Sequence, residues 1–306
     1  MPVSYVSFAN IIVDDIVFPD GTTHMNTLGG GGTHAIVGMR VWTQEIGFVA
    51  SVGPDFSPQH RTQLAAYGID LSGVRVRKDI HTPRAWQIFD EDERRIEIFR
   101  TDEEEFRQTQ PTFAHIPAHY LQAKGYHLLR DNLPELSDLI EQLRGANPKV
   151  LLLWELCPPQ IEADPRQIRS ILERVDIFCP NHSEATHLCD RTEVEEILEE
   201  LVAWGARVVA LRLGKEGSAV RAREGKESWR IPVVPTKIVD VTGAGNAYCG
   251  GFLVGYSQTG DPETAGLYGA VSASFAVEQV GIPYIDAAKQ AEAQRRYQTL
   301  RATRSG

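Results

Sequence analysis

The chain contains no run of about 18 apolar residues, the length a membrane-crossing helix needs, so no span is expected. Its opening, Met1-Pro2-Val3-Ser4-Tyr5-Val6, has neither a basic segment nor a small-residue cleavage site, and is expected to be a first strand instead of a signal peptide. Only four cysteines occur, Cys157, Cys179, Cys189 and Cys249, and no two are spaced CxxC. They are expected as buried thiols in a reducing compartment, which points to the cytoplasm. The nine histidines include no HExxH, so no zinc site is expected. Positive charge is in the minority, with 31 Lys and Arg against 41 Asp and Glu and a net charge of −10. That balance argues against a nucleic-acid partner, and requires any anion site to be local, built from backbone dipoles and a few cations. Neither a repeat of 20–50 residues nor a low-complexity linker divides the chain, so residues 1–306 are expected to form one domain.

What is present is alternation. Val3–Val13, Ile46–Val52, Tyr126–Leu129, Val150–Trp154, Ile177–Cys179 and Val208–Leu213 read as buried strands. Between them, Thr33–Trp42, Pro58–Tyr67, Leu133–Arg144, Pro165–Arg174 and Glu193–Trp204 carry helical spacing. Three further helices are predicted over Ala244–Tyr256, Pro262–Gln279 and Asp286–Thr303. Such β-α-β-α order predicts a mostly parallel sheet covered on both faces. One segment departs from it. Ala85–Phe89 and Arg95–Phe99 are β-rich and joined by Asp90-Glu91-Asp92-Glu93, which predicts a hairpin. With Val17–His24 it could form a small sheet over a cleft, a lid spanning about 15–27 and 80–101; a plain surface hairpin is the alternative.

The most informative run is Asp240-Val241-Thr242-Gly243-Ala244-Gly245-Asn246-Ala247, just before an apolar helical stretch. Small residues there let backbone N–H groups converge at a helix start, where the dipole adds partial positive charge. The turn is a cradle for an anion, and for a phosphoryl group in transfer in particular. The next residue, where a proton acceptor would be expected, is the amide Asn246. Leu28-Gly29-Gly30-Gly31-Gly32-Thr33-His34 also opens a helix and permits close backbone approach to a polar ligand, but lacks the Lys-Ser/Thr of a Walker A loop. Asp14 and Asp15, read as the end of the first strand, would point into a ligand crevice, where a carboxylate accepts from adjacent hydroxyls. Asn181 and Glu184 share one face of a starting helix and could order water around Mg²⁺, or simply cap that helix. Leu213-Gly214-Lys215-Glu216-Gly217 is a glycine-bounded turn against which a nucleotide could lie.

Taken together, and in this order along nearly the whole chain, these residues resemble the ribokinase-like, or PfkB, family of carbohydrate kinases. The resemblance implies a three-layer α/β/α domain with a small β lid. ATP would lie near Leu213, Gly214, Gly217 and Thr242 and the helix Ala265–Glu278. The sugar-like acceptor would touch Asp14, Gly29, Gly30 and His34, and Gly243, Ala244 and Gly245 would form the anion hole. Asn181 and Glu184 would serve phosphate and Mg²⁺, the latter through water, and the loop carrying Asp240 would take a monovalent cation such as K⁺. Lid pairing across a two-fold axis would make a homodimer through Trp86, Ile88, Ile96 and Ile98. Two departures matter. His34 stands where the family has a substrate-contacting Asn, which suggests an acceptor unlike ribose. Asn246 stands where the family's catalytic Asp takes the acceptor proton, and an amide is no base near neutral pH. Three readings follow. The chain is a kinase in which Asn246 positions the acceptor while Asp14, Asp15 or His34 takes the proton. It is a sensor that binds nucleotide or metabolite and transfers nothing. Or Asn246 was introduced to trap a complex. Arg84, Arg95 and Arg100 near the hairpin would suit an anionic substrate, or form a solvated strand face.

Overall fold

The computed structural model describes residues 2–91, 95–157, 160, 163–225 and 227–303. Along the chain the strands are Tyr5–Phe8 (β1), Ile12–Val17 (β2), Thr23–Gly29 (β3), Ile46–Val52 (β4), Asp70–Val76 (β5), Arg84–Phe89 (β6), Arg95–Phe99 (β7), Gly125–Leu128 (β8), Leu151–Trp154 (β9), Ile177–Phe178 (β10), Val208–Arg212 (β11), Ser218–Ala222 (β12) and Ser228–Ile231 (β13). The helices are Gly31–Arg40 (α1), Pro58–Ala66 (α2), Glu103–Thr109 (α3), Leu133–Ala146 (α4), Pro165–Leu172 (α5), His182–Cys189 (α6), Val194–Ala203 (α7), Ala244–Thr259 (α8), Pro262–Ala276 (α9) and Ala287–Ala302 (α10).

A nine-stranded sheet runs in the order β13-β12-β11-β10-β9-β8-β1-β4-β5. Its pairings are parallel from β11 through to β5, and β12 and β13 close one edge antiparallel. Strands buried on both faces need apolar side chains at successive positions, and β1, β4 and β8 are buried along their whole length. Two apolar clusters flank the sheet. One joins α1, α2, α8, α9 and α10; the other joins α4, α5, α6 and α7. The arrangement is the three-layer α/β/α fold expected from the alternation. Several helices start at a side-chain cap: Ser57, Asn132, Asp164, Asp261 and Asp286 each accept from a backbone N–H in the first turn. All but the last are followed by a proline in that turn, where no intrahelical donor is lost. Among the described residues no helix is long and apolar enough to cross a membrane.

A second, four-stranded sheet runs β3-β2-β6-β7. Its central pair, β2 and β6, is parallel, and β6-β7 is the hairpin read from the sequence. Asp92 and Glu93 of the hairpin turn lie outside the described residues. This sheet corrects two expectations. Val3–Val13 is not one strand: the chain leaves the main sheet after Phe8 and enters the small one at Ile12. Asp14 and Asp15 therefore lie inside β2 and not at the edge of the main sheet. Continuous apolar character hid the break, because Ala9 and Ile11 in the crossing segment are themselves fully buried.

Candidate active site

β8, β9, β10 and β11 all end at one edge of the main sheet, the edge where parallel α/β sheets form their ligand crevices. The N-termini of α1 and α8 meet there. A Cβ added to Gly31, in α1, would lie 2.9 Å from Nδ2 of Asn246, in α8. Gly243, the residue that caps α8, has φ 74°. Its Cα lies against the imidazole of His34, and an added Cβ would come within 2.0 Å of that ring. Only glycine meets both conditions. Of the cradle donors, the Ala244 N–H is turned back to the Val241 carbonyl at 3.3 Å. Among the described residues the N–H groups of Gly243, Gly245 and Asn246 have no backbone partner, so these three remain for an anion.

Behind the cradle is a charged cluster that motif reading missed. Glu155 follows β9 directly and is 2% exposed. Its Oε1 accepts from Arg212 Nη1 at 2.5 Å, and its Oε2 accepts from His127 Nε2 at 2.8 Å and Asn246 Nδ2 at 3.0 Å. The other ring nitrogen of His127 stands 3.1 Å from Ser7 Oγ. Burial works to raise the Glu155 carboxyl, but Arg212, His127 and Asn246 outweigh it and pull it down to about 2. Arg212 ends β11 and also faces Glu184 at 3.5 Å. Burial opposes its charge, yet Glu155 and the other neighbours overcome that and hold the guanidinium firmly protonated. The signal was present in the sequence. A carboxylate just after an apolar run at a parallel strand end belongs to the crevice, and Trp154-Glu155 satisfies that rule, whereas Asp14, inside β2, does not.

Asn181 and Glu184 form a capping box at the start of α6, with Asn181 Oδ1 accepting from the Glu184 N–H at 2.9 Å and Glu184 Oε2 from the Asn181 N–H at 2.7 Å. Burial raises the Glu184 carboxyl despite Arg212. Leu213 to Gly217 is a tight turn between the antiparallel strands β11 and β12, its central residues Gly214–Glu216 forming one 3₁₀ turn. Asp240 Oδ1 accepts from the Thr242 N–H at 2.8 Å, while Asp240 Oδ2 and Thr242 Oγ1 are buried with no partner among the described residues. The orphaned carboxylate oxygen fits a bound cation, and the Thr242 hydroxyl could donate to a phosphate.

On the small sheet, Asp14 packs against Gly29, whose added Cβ would fall 1.9 Å from Asp14 Oδ2. Gln87 Nε2 donates to Asp14 Oδ1 at 3.1 Å. Burial lifts the Asp14 carboxyl to about 7. Gly30 has φ 89° and lies against the backbone of Ile12 and Asn10. Asp15, on the opposite face of β2, accepts from Arg100 at 2.6 Å and Arg84 at 3.3 Å. Burial opposes its ionisation, but the Asn26 N–H and these arginines win and lower its pKa. Arg84 and Arg100 are thus engaged with Asp15, not free for an anionic substrate. His34 is 3% exposed, and burial first, then the charge of Arg95, lowers its pKa to about 4. It is a neutral ring behind the cradle.

Fold and site together define a ribokinase-like kinase: an α/β/α sheet, a small β sheet beside the crevice, and an anion cradle at the start of a buried helix. The model of the "pfkB family carbohydrate kinase" matches residues 10–285, and the chain belongs to that family. It is 30% identical over 258 residues to a cytidine kinase of Thermococcus kodakarensis, covering 83% of this chain and 88% of that one. In structure it resembles a Burkholderia thailandensis nucleoside kinase in complex with inosine, with TM-score 0.80, 21% identity, and coverage of 97% and 98%. It also resembles a putative ribokinase II from E. coli in complex with ATP and Mg²⁺, with TM-score 0.78, 18% identity, and coverage of 97% and 99%. At these identities the two structures establish the fold alone.

Proposed function

We propose that this kinase transfers the γ-phosphoryl group of Mg-ATP to a hydroxyl of a small sugar-bearing molecule, and that its acceptor is a nucleoside. The observation that carries this reading is the meeting of two glycine-rich helix starts, which sets the α8 cradle beside the Gly29–Gly32 run and Asp14. Phosphate recognition and hydroxyl recognition then face one crevice. The nucleoside class is supported by the cytidine kinase, a relative 30% identical over 83% of this chain. His34 packs against Gly243, and in this reading its ring supports the cradle, so it does not count against a ribose-bearing acceptor.

In this assignment Asp14, Gly29 and Gly30 hold the acceptor, with His34 supporting the cradle from behind. The N–H groups of Gly243, Gly245 and Asn246 take the transferred phosphoryl group, with Ala244 keeping the turn narrow. Leu213, Gly214, Gly217 and Thr242 border the nucleotide. Glu184, with Asn181, orders water on Mg²⁺, and Asp240 holds K⁺ through its unpartnered oxygen. The small sheet acts as a lid. Phosphoryl transfer through a loose transition state depends chiefly on positioning and charge, so an amide at 246 is compatible with turnover.

The test is transfer from Mg-ATP to a panel of nucleosides, sugars, sugar acids and polyols, read by product mass. Phosphorylated cytidine or another nucleoside is expected. Transfer to a free sugar alone would remove the nucleoside assignment. Silence across the panel, with ATP still bound, would favour the sensor.

A further inference from the structure

An ionised carboxylate has no proton to donate, so whichever end of the Asn246 amide faces Glu155 must be the donor end. That settles the orientation of Asn246: Nδ2 lies toward Glu155 at 3.0 Å, and Oδ1 is the end left free. Among the described residues no donor reaches Oδ1. Glu155 is itself immobilised, because Arg212 holds one of its oxygens and His127 the other. Nor does its surrounding charge leave it able to take a proton. The titratable and charged groups acting on it or acted on by it are Arg212, His127, Glu184, Cys157, Cys249 and His34.

Resting on the kinase reading above, we propose that Glu155 is a positioning residue. It locks Asn246 so that Oδ1 accepts the hydrogen bond of the attacking hydroxyl and aims its oxygen at phosphorus. The chain would thus work with an orienting acceptor where a general base would otherwise stand. In the transfer, an oxygen lone pair of the acceptor forms the new O–P bond. The bond between the γ-phosphorus and the β,γ-bridging oxygen breaks, and its electrons leave with ADP. The hydroxyl proton, which neither Asn246 nor Glu155 can take, passes to a non-bridging oxygen of the transferred group and then to water.

The decisive comparison uses the unaltered protein, Asn246→Asp, and Asn246→Asp combined with Glu155→Gln. In Asn246→Asp two carboxyls meet at hydrogen-bond distance and cannot both ionise, so the pair retains a proton to high pH. The native state then binds more protons than the unfolded chain, so its melting temperature, relative to the unaltered protein, should fall as pH rises from 5 to 8. The double variant, with one carboxyl, should lose that fall. Equal pH profiles for the single and double variants would overturn the contact, with no substrate involved. In parallel, Glu155→Gln assayed with Mg-ATP and cytidine at pH 8 should lose about 10²-fold in kcat, the size of effect that misplacing a reacting group produces, with KM for ATP within about threefold. Unchanged kcat would overturn the positioning role. No turnover by the unaltered protein would sink the cytidine assignment, while the melting comparison still decides the Glu155 contact.

Discussion

Asp14 shows how one buried carboxyl sets a pH dependence. Its folded pKa is raised from 3.8 to about 7, with burial the leading cause. The native state therefore binds a proton that the unfolded chain has released, and stability falls as pH rises between those values. Activity should move the opposite way. In the proposed role, ionised Asp14 would accept from two acceptor hydroxyls, whereas the protonated form has lost acceptor capacity. KM for the acceptor should therefore rise about tenfold per pH unit below 7, with KM for ATP flat; a flat acceptor KM from pH 5.5 to 8 would refute the role. Gly243→Ala combines a left-handed φ with a Cβ 2.0 Å from the His34 ring. It should lower kcat by about 10²–10³-fold through a displaced cradle, and a variant within threefold of the parent would show that the turn tolerates a side chain. Arg212→Ala removes the partner of a fully buried carboxylate. It should cost about 3–5 kcal/mol by chemical denaturation, because Glu155 would keep His127 and Asn246 on one oxygen but lose the buried guanidinium that pairs its charge on the other.

At the scale of elements, the cradle is held by three helices packed backbone to backbone. An added Cβ at Gly38, in α1, would meet the Ala247 carbonyl at 2.0 Å, and one at Gly250, in α8, would meet that of Ala35 at 2.0 Å. Gly251 and Gly255 make room for α9, where an added Cβ would meet the Tyr268 carbonyl at 2.8 Å and the Ala265 Cα at 3.0 Å, respectively. The glycines that look like poor helix formers are what set α1 and α8 near enough for Gly31 to touch Asn246. Gly250→Ala should therefore destabilise the fold by about 1–3 kcal/mol although alanine has the better helix propensity. A rise in melting temperature would refute this packing account. The wide apolar periphery of α8 in the sequence is explained by the same contacts: residues 247–255 are all buried.

At the scale of the whole molecule, the small sheet turns apolar side chains to solvent. Trp86 pairs with Ile98 and Ile88 with Ile96 across β6 and β7, and Ile96 and Ile98 are 54% and 47% exposed. A second copy of the chain seated there would cover them. Sedimentation at micromolar concentration should show a dimer, and Ile96→Lys with Ile98→Lys should return it to monomer; a monomeric parent would sink the pairing.

Much was fixed by the chain's own pattern. Alternating apolar runs and helical spacings determined the α/β/α layers, because parallel strands buried on both faces need continuous apolar runs. Glycine and a following amide marked the cradle, because only certain residues suit a helix start with positive φ. Some things depended on the third dimension. The first apolar run serves two sheets, and nothing local distinguishes a strand from a buried crossing. Asn246 meets Glu155 across 91 residues, and Arg212 meets it across 57. No spacing rule reaches that far. The sequence by itself determined that position 246 is an amide. Only the tertiary structure decided which way that amide faces, because its orientation is set by the charge of a carboxylate brought from another strand.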